Sequence, residues 1–268
     1  KYVAEPGGSI RDDEVIKCCD KYFDQILVKS AAVNHVRIAK ISEVCNSGAF
    51  SLPDADETAH KQRQSGSCCL SVVIPCYNVE KYVRRCLESI LVALCRLNKP
   101  AEVICVDDGS ADGTVAEIEN ISEEFRRRGF KIAILRQANQ GAGVARNAGL
   151  SMAKGKYLHF CDADDWVETD IFVGLIDAAE RAKAEIATCT RRIIRDDLTS
   201  TISGFFGPVN DLLKQGSVVI SPEDISDSLF SFATQVPWNK IFSRRYINRM
   251  KLRFQEIPRA NDVYFVCL

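Results

Sequence analysis

Leu70-Ser71-Val72-Val73-Ile74-Pro75-Cys76-Tyr77-Asn78 is a short apolar run halted by a proline and then by polar residues. A run of that kind reads as a buried strand ending at Ile74. Next, Val83, Leu87, Ile90, Leu91 and Leu94 recur at helical spacing until Pro100. The alternation then repeats. Val103-Ile104-Cys105-Val106 is a second strand, followed by Asp107-Asp108-Gly109-Ser110 and a helix from about Thr114 to Arg128. Ile132 to Leu135 is a third strand, and the loop Asn139-Gln140-Gly141-Ala142-Gly143 leads into a helix through Met152. Tyr157 to Cys161 is a fourth strand, ending at Asp162-Ala163-Asp164-Asp165. Ile171 to Ala182 is helical, and Glu185 to Cys189 is another short strand. Strands alternating with helices predict an α/β fold with a mostly parallel sheet covered on both faces. Ligands of such sheets bind beyond the carboxyl ends of the strands. Three polar clusters fall there: Pro75 to Asn78, Asp107 to Ser110, and Asp162 to Asp165.

The rest of the chain limits the function classes. Lys plus Arg is 35 and Asp plus Glu is 36, for a net charge of -1. No nucleic-acid partner is expected from that balance. No apolar run approaches the ~18 residues of a membrane-spanning helix. The chain opens on Lys1 and stops within the apolar run Val263 to Leu268, so it reads as a piece of a longer protein. Residues 1–67 read as a helical segment, roughly Asp12 to Ile41, and a polar tether from Asn46 to Ser67. Residues 68–268 read as the α/β domain. Twelve cysteines are present without a C-x-x-C pair or zinc-type spacing. They are expected to be free thiols in a reducing, cytoplasmic compartment.

The acidic clusters carry the candidate chemistry. A D-x-D triplet alone is weak, since about 1.5 are expected by chance, and Asp54-Ala55-Asp56 is a second one in the tether. Asp162-Ala163-Asp164 differs in sitting at a strand end, where carboxylates suit a hard divalent cation bridging to phosphate. A helix-start cap explains the same spacing equally well. Asp107-Asp108-Gly109-Ser110 is either a tight turn or a recognition site for a base or ribose. The loop before Arg146-Asn147 could bring backbone N–H groups and a guanidinium near phosphate, or could simply enter a helix. His159, inside the fourth strand, reads as a packed core histidine. The basic stretch Arg244 to Arg253 reads as a surface helix packing its apolar side, with contact to anionic lipid as the other reading.

Taken together, four stretches resemble a family 2 glycosyltransferase with a GT-A fold. They are Ser71 to Asn78, Val106 to Thr114, Asn139 to Gly149 and Gly155 to Asp165. Their order and spacing are specific where each alone is not. Weaker likeness continues through Pro237-Trp238-Asn239-Lys240-Ile241-Phe242 and Phe254 to Phe265, and omits residues 1–67. The resemblance implies that Pro75, Tyr77 and Asp108 line a nucleotide-base pocket, with Asn78 and Asp107 beside them. It implies Arg146 near the base or diphosphate. Asp164 would bind Mn²⁺ or Mg²⁺, and Asp162 would hold ribose or metal-bound water. Lys240 would be a sugar- or acceptor-side basic residue. Asp262 would be the general base, although Asn261 stands where relatives commonly carry Glu. The implied reaction is metal-dependent, inverting transfer from a nucleotide-sugar, most simply UDP-linked, to a hydroxyl of a glycan or lipid-linked acceptor. The implied setting is cell-surface polysaccharide synthesis, in the cytoplasm or at the inner face of the membrane with a peripheral contact. A non-catalytic nucleotide-sugar-binding or scaffold module is the alternative. A nucleotidyltransferase is disfavoured, because Pro75-Cys76-Tyr77-Asn78 is not a Gly-rich basic phosphate loop.

Overall fold

The computed structural model of the chain describes residues 38–41, 66–189, 191–194, 200–203, 219–220 and 236–267. In chain order the elements begin with β1 (Ile38–Ile41), β2 (Leu70–Cys76), α1 (Val83–Leu97), β3 (Ala101–Asp107) and α2 (Thr114–Arg127). They continue with β4 (Lys131–Arg136), α3 (Ala142–Met152), β5 (Tyr157–Phe160), α4 (Ile171–Ala182) and β6 (Ile186–Cys189). The last are β7 (Arg191–Ile194), β8 (Ser200–Ser203), β9 (Val219–Ile220), β10 (Lys240–Ser243), α5 (Arg244–Met250) and α6 (Val263–Cys267). Among these, no helix is long and apolar enough to cross a membrane.

One sheet runs in the order β4-β3-β2-β5-β10-β6-β1-β9, and β7 and β8 form a separate pair. The strands β4, β3, β2 and β5 are mutually parallel, as the alternation predicted. β10 then enters antiparallel between β5 and β6. β1 pairs parallel with β6. Ile38 to Ile41 is therefore strand, where the sequence reading carried a helix through Ile41. The rest of the expected helix and the tether through residue 65 lie outside the described residues.

β2 also differs from its expected end, because it runs through Pro75 to Cys76. The hydrogen bonds show why a proline is tolerated there. Val73 O accepts from Cys161 N, toward β5, and Cys76 O accepts from Asp108 N, on the β3 side. Backbone groups alternate sides along a parallel strand, so Pro75 turns its nitrogen toward β5. β5 has already ended at Phe160, and no ladder donor is lost.

The side chains of β2 sort by period two. Leu70, Val72, Ile74 and Cys76 join one buried cluster with α1, α2 and α4. Val73 joins a second cluster on the opposite face with α3, α5 and α6. α3 lies close on that face, because a Cβ on Gly149 would fall 2.4 Å from Val73 Cγ1. At the centre of the same face, Phe160, Phe242, Phe254 and Phe265 make edge-on and stacked contacts at 4.0–6.2 Å between ring centroids. Such pairs contribute about 0.5–1.5 kcal/mol each beyond burial. They fasten residues 254 to 265 beside the carboxyl ends of β2 and β5.

Candidate active site

Four segments converge at the carboxyl ends of β2, β3 and β5. They enclose a cleft of about 410 Å³ lined by Pro75, Tyr77, Asp108, Arg146, Asp162 and Asp164, together with Asn139, Gly141 and Ala142. Tyr77 is half exposed at its rim. The cleft thus brings together six of the residues singled out in the sequence.

Asp108 is almost fully buried. Its Oδ1 accepts from Gln137 Nε2 at 2.7 Å and Gln140 N at 2.9 Å, and its Oδ2 accepts from Gly141 N at 2.7 Å. The carboxylate therefore shapes the loop before α3, where Gly141 has φ of +92°. Little of its acceptor capacity is left for a ligand. Gln137 was not singled out by the sequence reading, because nothing in its type or spacing announces this role. Gln140 lies in the loop whose backbone N–H groups were expected near phosphate, and instead gives its N–H to Asp108.

Arg146 is 6% exposed and spans the site. Its guanidinium donates to Asp162 Oδ1 at 2.5 Å and to Asn261 Oδ1 at 2.6 Å. Its Nε is buried without a partner. Asn261 is thus a neutral acceptor for a fixed cation. Asn147 Nδ2 donates to Phe254 O, and Phe254 N donates to Asn147 Oδ1, at 3.0 and 2.9 Å. Gly143 completes this face of α3, since a Cβ there would lie 2.1 Å from Gln255 O. The segment from Phe254 to Asp262 is therefore clamped to α3. The Asn147 partnership was not legible in advance, since its partner lies 107 residues away.

Four predicted residues stand outside the cleft lining. Asp107 sits behind it, accepting from Ser110 N at 3.0 Å with Arg136 at 3.5 Å. Asn78, at φ of +52°, links the β2 and β3 loops, accepting from Ala111 N and donating its own N–H to Ser110 Oγ. Lys240 is buried in β10, and its Nζ donates to Val236 O and Asn239 Oδ1. Asp262 directly precedes α6, and its backbone oxygen accepts from Val266 N at 3.0 Å. Burial pushes its carboxyl up, Arg146 opposes that, and Asp162 adds to it. Asp262 is therefore within electrostatic reach of the cleft.

Asp162 and Asp164 both act on the third carboxylate after β5. Asp165 is exposed as a residue, yet its carboxyl is pushed up to about 6, first by local desolvation and then by Asp162 and Asp164. A divalent cation would relieve that crowding. Among the described residues, no three His, Cys, Asp or Glu side chains converge to hold a metal alone. Mg²⁺-type ions commonly need only one or two carboxylates plus substrate phosphates. The donor set therefore fits such an ion.

The family described as Glycosyl transferase family 2 matches residues 71–249. The chain belongs to that family. It is 28% identical to the uncharacterized glycosyltransferase EpsJ of Bacillus subtilis, over 73% of this chain and 54% of that protein. It is 30% identical to the succinoglycan biosynthesis protein ExoO of Rhizobium meliloti, over 74% and 54%. The chain spans about half the length of these curated relatives. The crystal structure of Staphylococcus aureus TarS 1-349 superposes with a TM-score of 0.55 at 22% identity, covering 74% of this chain and 54% of that one. TarS has also been solved with UDP and with UDP-GlcNAc. The fold is that of the GT-A glycosyltransferases.

Proposed function

We propose that this glycosyltransferase moves a sugar from a UDP-linked donor to a hydroxyl of a glycan or lipid-linked acceptor, inverting the anomeric carbon. The observation that carries the reading is the single cleft gathering Pro75, Tyr77, Asp108, Arg146, Asp162 and Asp164 at the strand ends. The UDP complexes of TarS support the donor class, and the naming of ExoO supports polysaccharide synthesis. Eight of the cysteines among the described residues are free thiols, which suits a cytoplasmic setting.

Tyr77 offers an aromatic face to the base at the rim. Asp108 fixes the loop that closes over it. Asp164 with Asp162 would hold Mn²⁺ or Mg²⁺, which when bound would neutralise charge on the diphosphate. Arg146 adds a fixed cation beside that charge. Asp262 accepts the proton of the acceptor hydroxyl as its oxygen bonds the anomeric carbon. The bond to the diphosphate breaks on the opposite face, and nucleoside diphosphate leaves. Burial makes Asp262 a stronger base, and Arg146 works in favour of its ionised form.

Calorimetric titration with UDP, with and without Mn²⁺, tests the donor site. Binding that needs Mn²⁺ and disappears in Asp164→Ala is expected. Metal-independent binding that Asp164→Ala leaves intact would remove the carboxylate from the site. Product analysis tests the reaction itself, because a scaffold module would hold UDP and release no diphosphate from a UDP-sugar.

A further inference from the structure

A larger concavity than the donor cleft, about 880 Å³, opens at the opposite end of the sheet. Lys154, Lys156, Lys183, Arg244 and Arg245 line it, against the carboxylates of Glu180 and Glu185. These residues precede β5 and β6 or follow the antiparallel β10, so all stand at the amino-terminal edge of the parallel strands. Glu180 pairs with Lys156, and Glu185 is buried, 3.8 Å from Arg245. Lys154 and Lys183 are exposed and have no ion pair among the described residues. Past the concavity, Lys99 precedes β3 and Lys131 opens β4, both exposed, with the half-buried Glu102 between them accepting from Ser71 Oγ and Lys154 N. From β4 to β6 is five strand spacings, or about 24 Å. That breadth exceeds one small anion and suits an array of negative charges. Met152 stands 43% exposed at the same end, two residues before Lys154.

We propose that this basic end docks on an anionic phospholipid surface, with phosphate headgroups entering the concavity and Met152 facing the acyl boundary. An exposed apolar side chain among lysines fits a lipid interface, and a nucleic-acid site would call for a groove-following stripe with stacking aromatics. The dock is independent of the sugar-transfer reading. It leaves the donor cleft open on the far side from the bilayer, at the other end of the seven-residue strand β2.

The test is co-sedimentation of this chain with vesicles of phosphatidylcholine alone and of phosphatidylcholine with one third phosphatidylglycerol. Binding to the anionic vesicles only, weakened by added salt, is expected. The Lys154→Glu/Lys183→Glu variant should bind at least about tenfold more weakly. Lys81→Glu, at the donor end, should bind as the parent does. Circular dichroism and thermal melting establish that each protein is folded. No sedimentation of the folded parent overturns the proposal, as does equal binding by the double variant. Retention on a duplex oligonucleotide but not on vesicles overturns it too, by reassigning the basic end to nucleic acid.

Discussion

Arg146 joins two carboxamide and carboxylate groups that lie far apart in the chain, Asp162 beyond β5 and Asn261 before α6. A charge-assisted bond of that kind is worth about 1.5–3 kcal/mol. Glu at position 261 would add a second negative charge beside Asp262, whose carboxyl is already raised by burial. Asn keeps a hydrogen-bond acceptor for Arg146 without adding that charge. Removing the Asp262 carboxylate should separate binding from turnover. Asp262→Asn is expected to bind UDP as the parent does while transfer falls by about 10²–10⁴-fold. Initial rates of UDP release, set beside calorimetry on the same preparation, check both halves. His159 shows how much the residue scale also governs stability. Its ring is fully buried in β5, its Nδ1–H donates to Lys240 O, and burial pushes it down to about 4. The folded state therefore resists the proton that the unfolded chain takes up near 6.5. This contribution is complete above pH 6.5 and is lost as pH falls toward 4, by up to about 3 kcal/mol. His159→Phe should be less stable at pH 7, for want of that hydrogen bond. Its melting temperature should then fall less than the parent's between pH 7 and 4.5.

At the scale of elements, the site depends on how α3 meets the segment that carries Asp262. Gly143, Arg146 and Asn147 share one helical face at i, i+3 and i+4. Gly143→Ala would place a Cβ 2.1 Å from a backbone oxygen, which cannot swing aside as a side chain tip does. The expected cost is about 1–3 kcal/mol, seen as a lowered melting temperature, with a loss of transfer larger than the loss of UDP affinity. Equal losses of both would mean that the segment serves the donor cleft rather than the base. The clamp also marks where sequence legibility stops. β2 to β6 and α1 to α4 were readable because apolar periodicity and Gly/Pro punctuation recur at each step. The cleft was readable because its residues sit at the ends of those strands. Lys240-Ile241-Phe242-Ser243 was not readable as a strand. Four residues with a charge at the front give no period, and its antiparallel insertion between β5 and β6 breaks the parallel logic. Its lysine consequently lies buried on Val236 O and Asn239 rather than in the cleft. Asp107 and Asn78 carried the right residue types in the right loops, but their side chains hold those loops together.

At the scale of the molecule, the charge among the described residues is distributed unevenly, although the sequence carries a net charge of only -1. Carboxylates crowd the strand ends of the donor cleft, and lysines and arginines gather at the opposite edge. The sheet that separates them is also wider than the alternating pattern implied. β1, drawn from residues expected to be helical and outside the α/β domain, pairs with both β6 and β9. Ile38-Ala39-Lys40-Ile41 is too short for its period to distinguish helix from strand. A chain lacking residues 1–41 therefore tests where the domain begins. The cleft is built from β2, β3, β5 and α3, and β10 and β6 lie between these and β1. UDP affinity should stay within about twofold of the parent. β6 would lose its outer partner, leaving an edge able to pair with another copy. A lower melting temperature and concentration-dependent association by light scattering are the expected consequences. Unchanged melting would put the domain boundary after β1, while a collapse of UDP binding would make the amino-terminal residues part of the donor site itself.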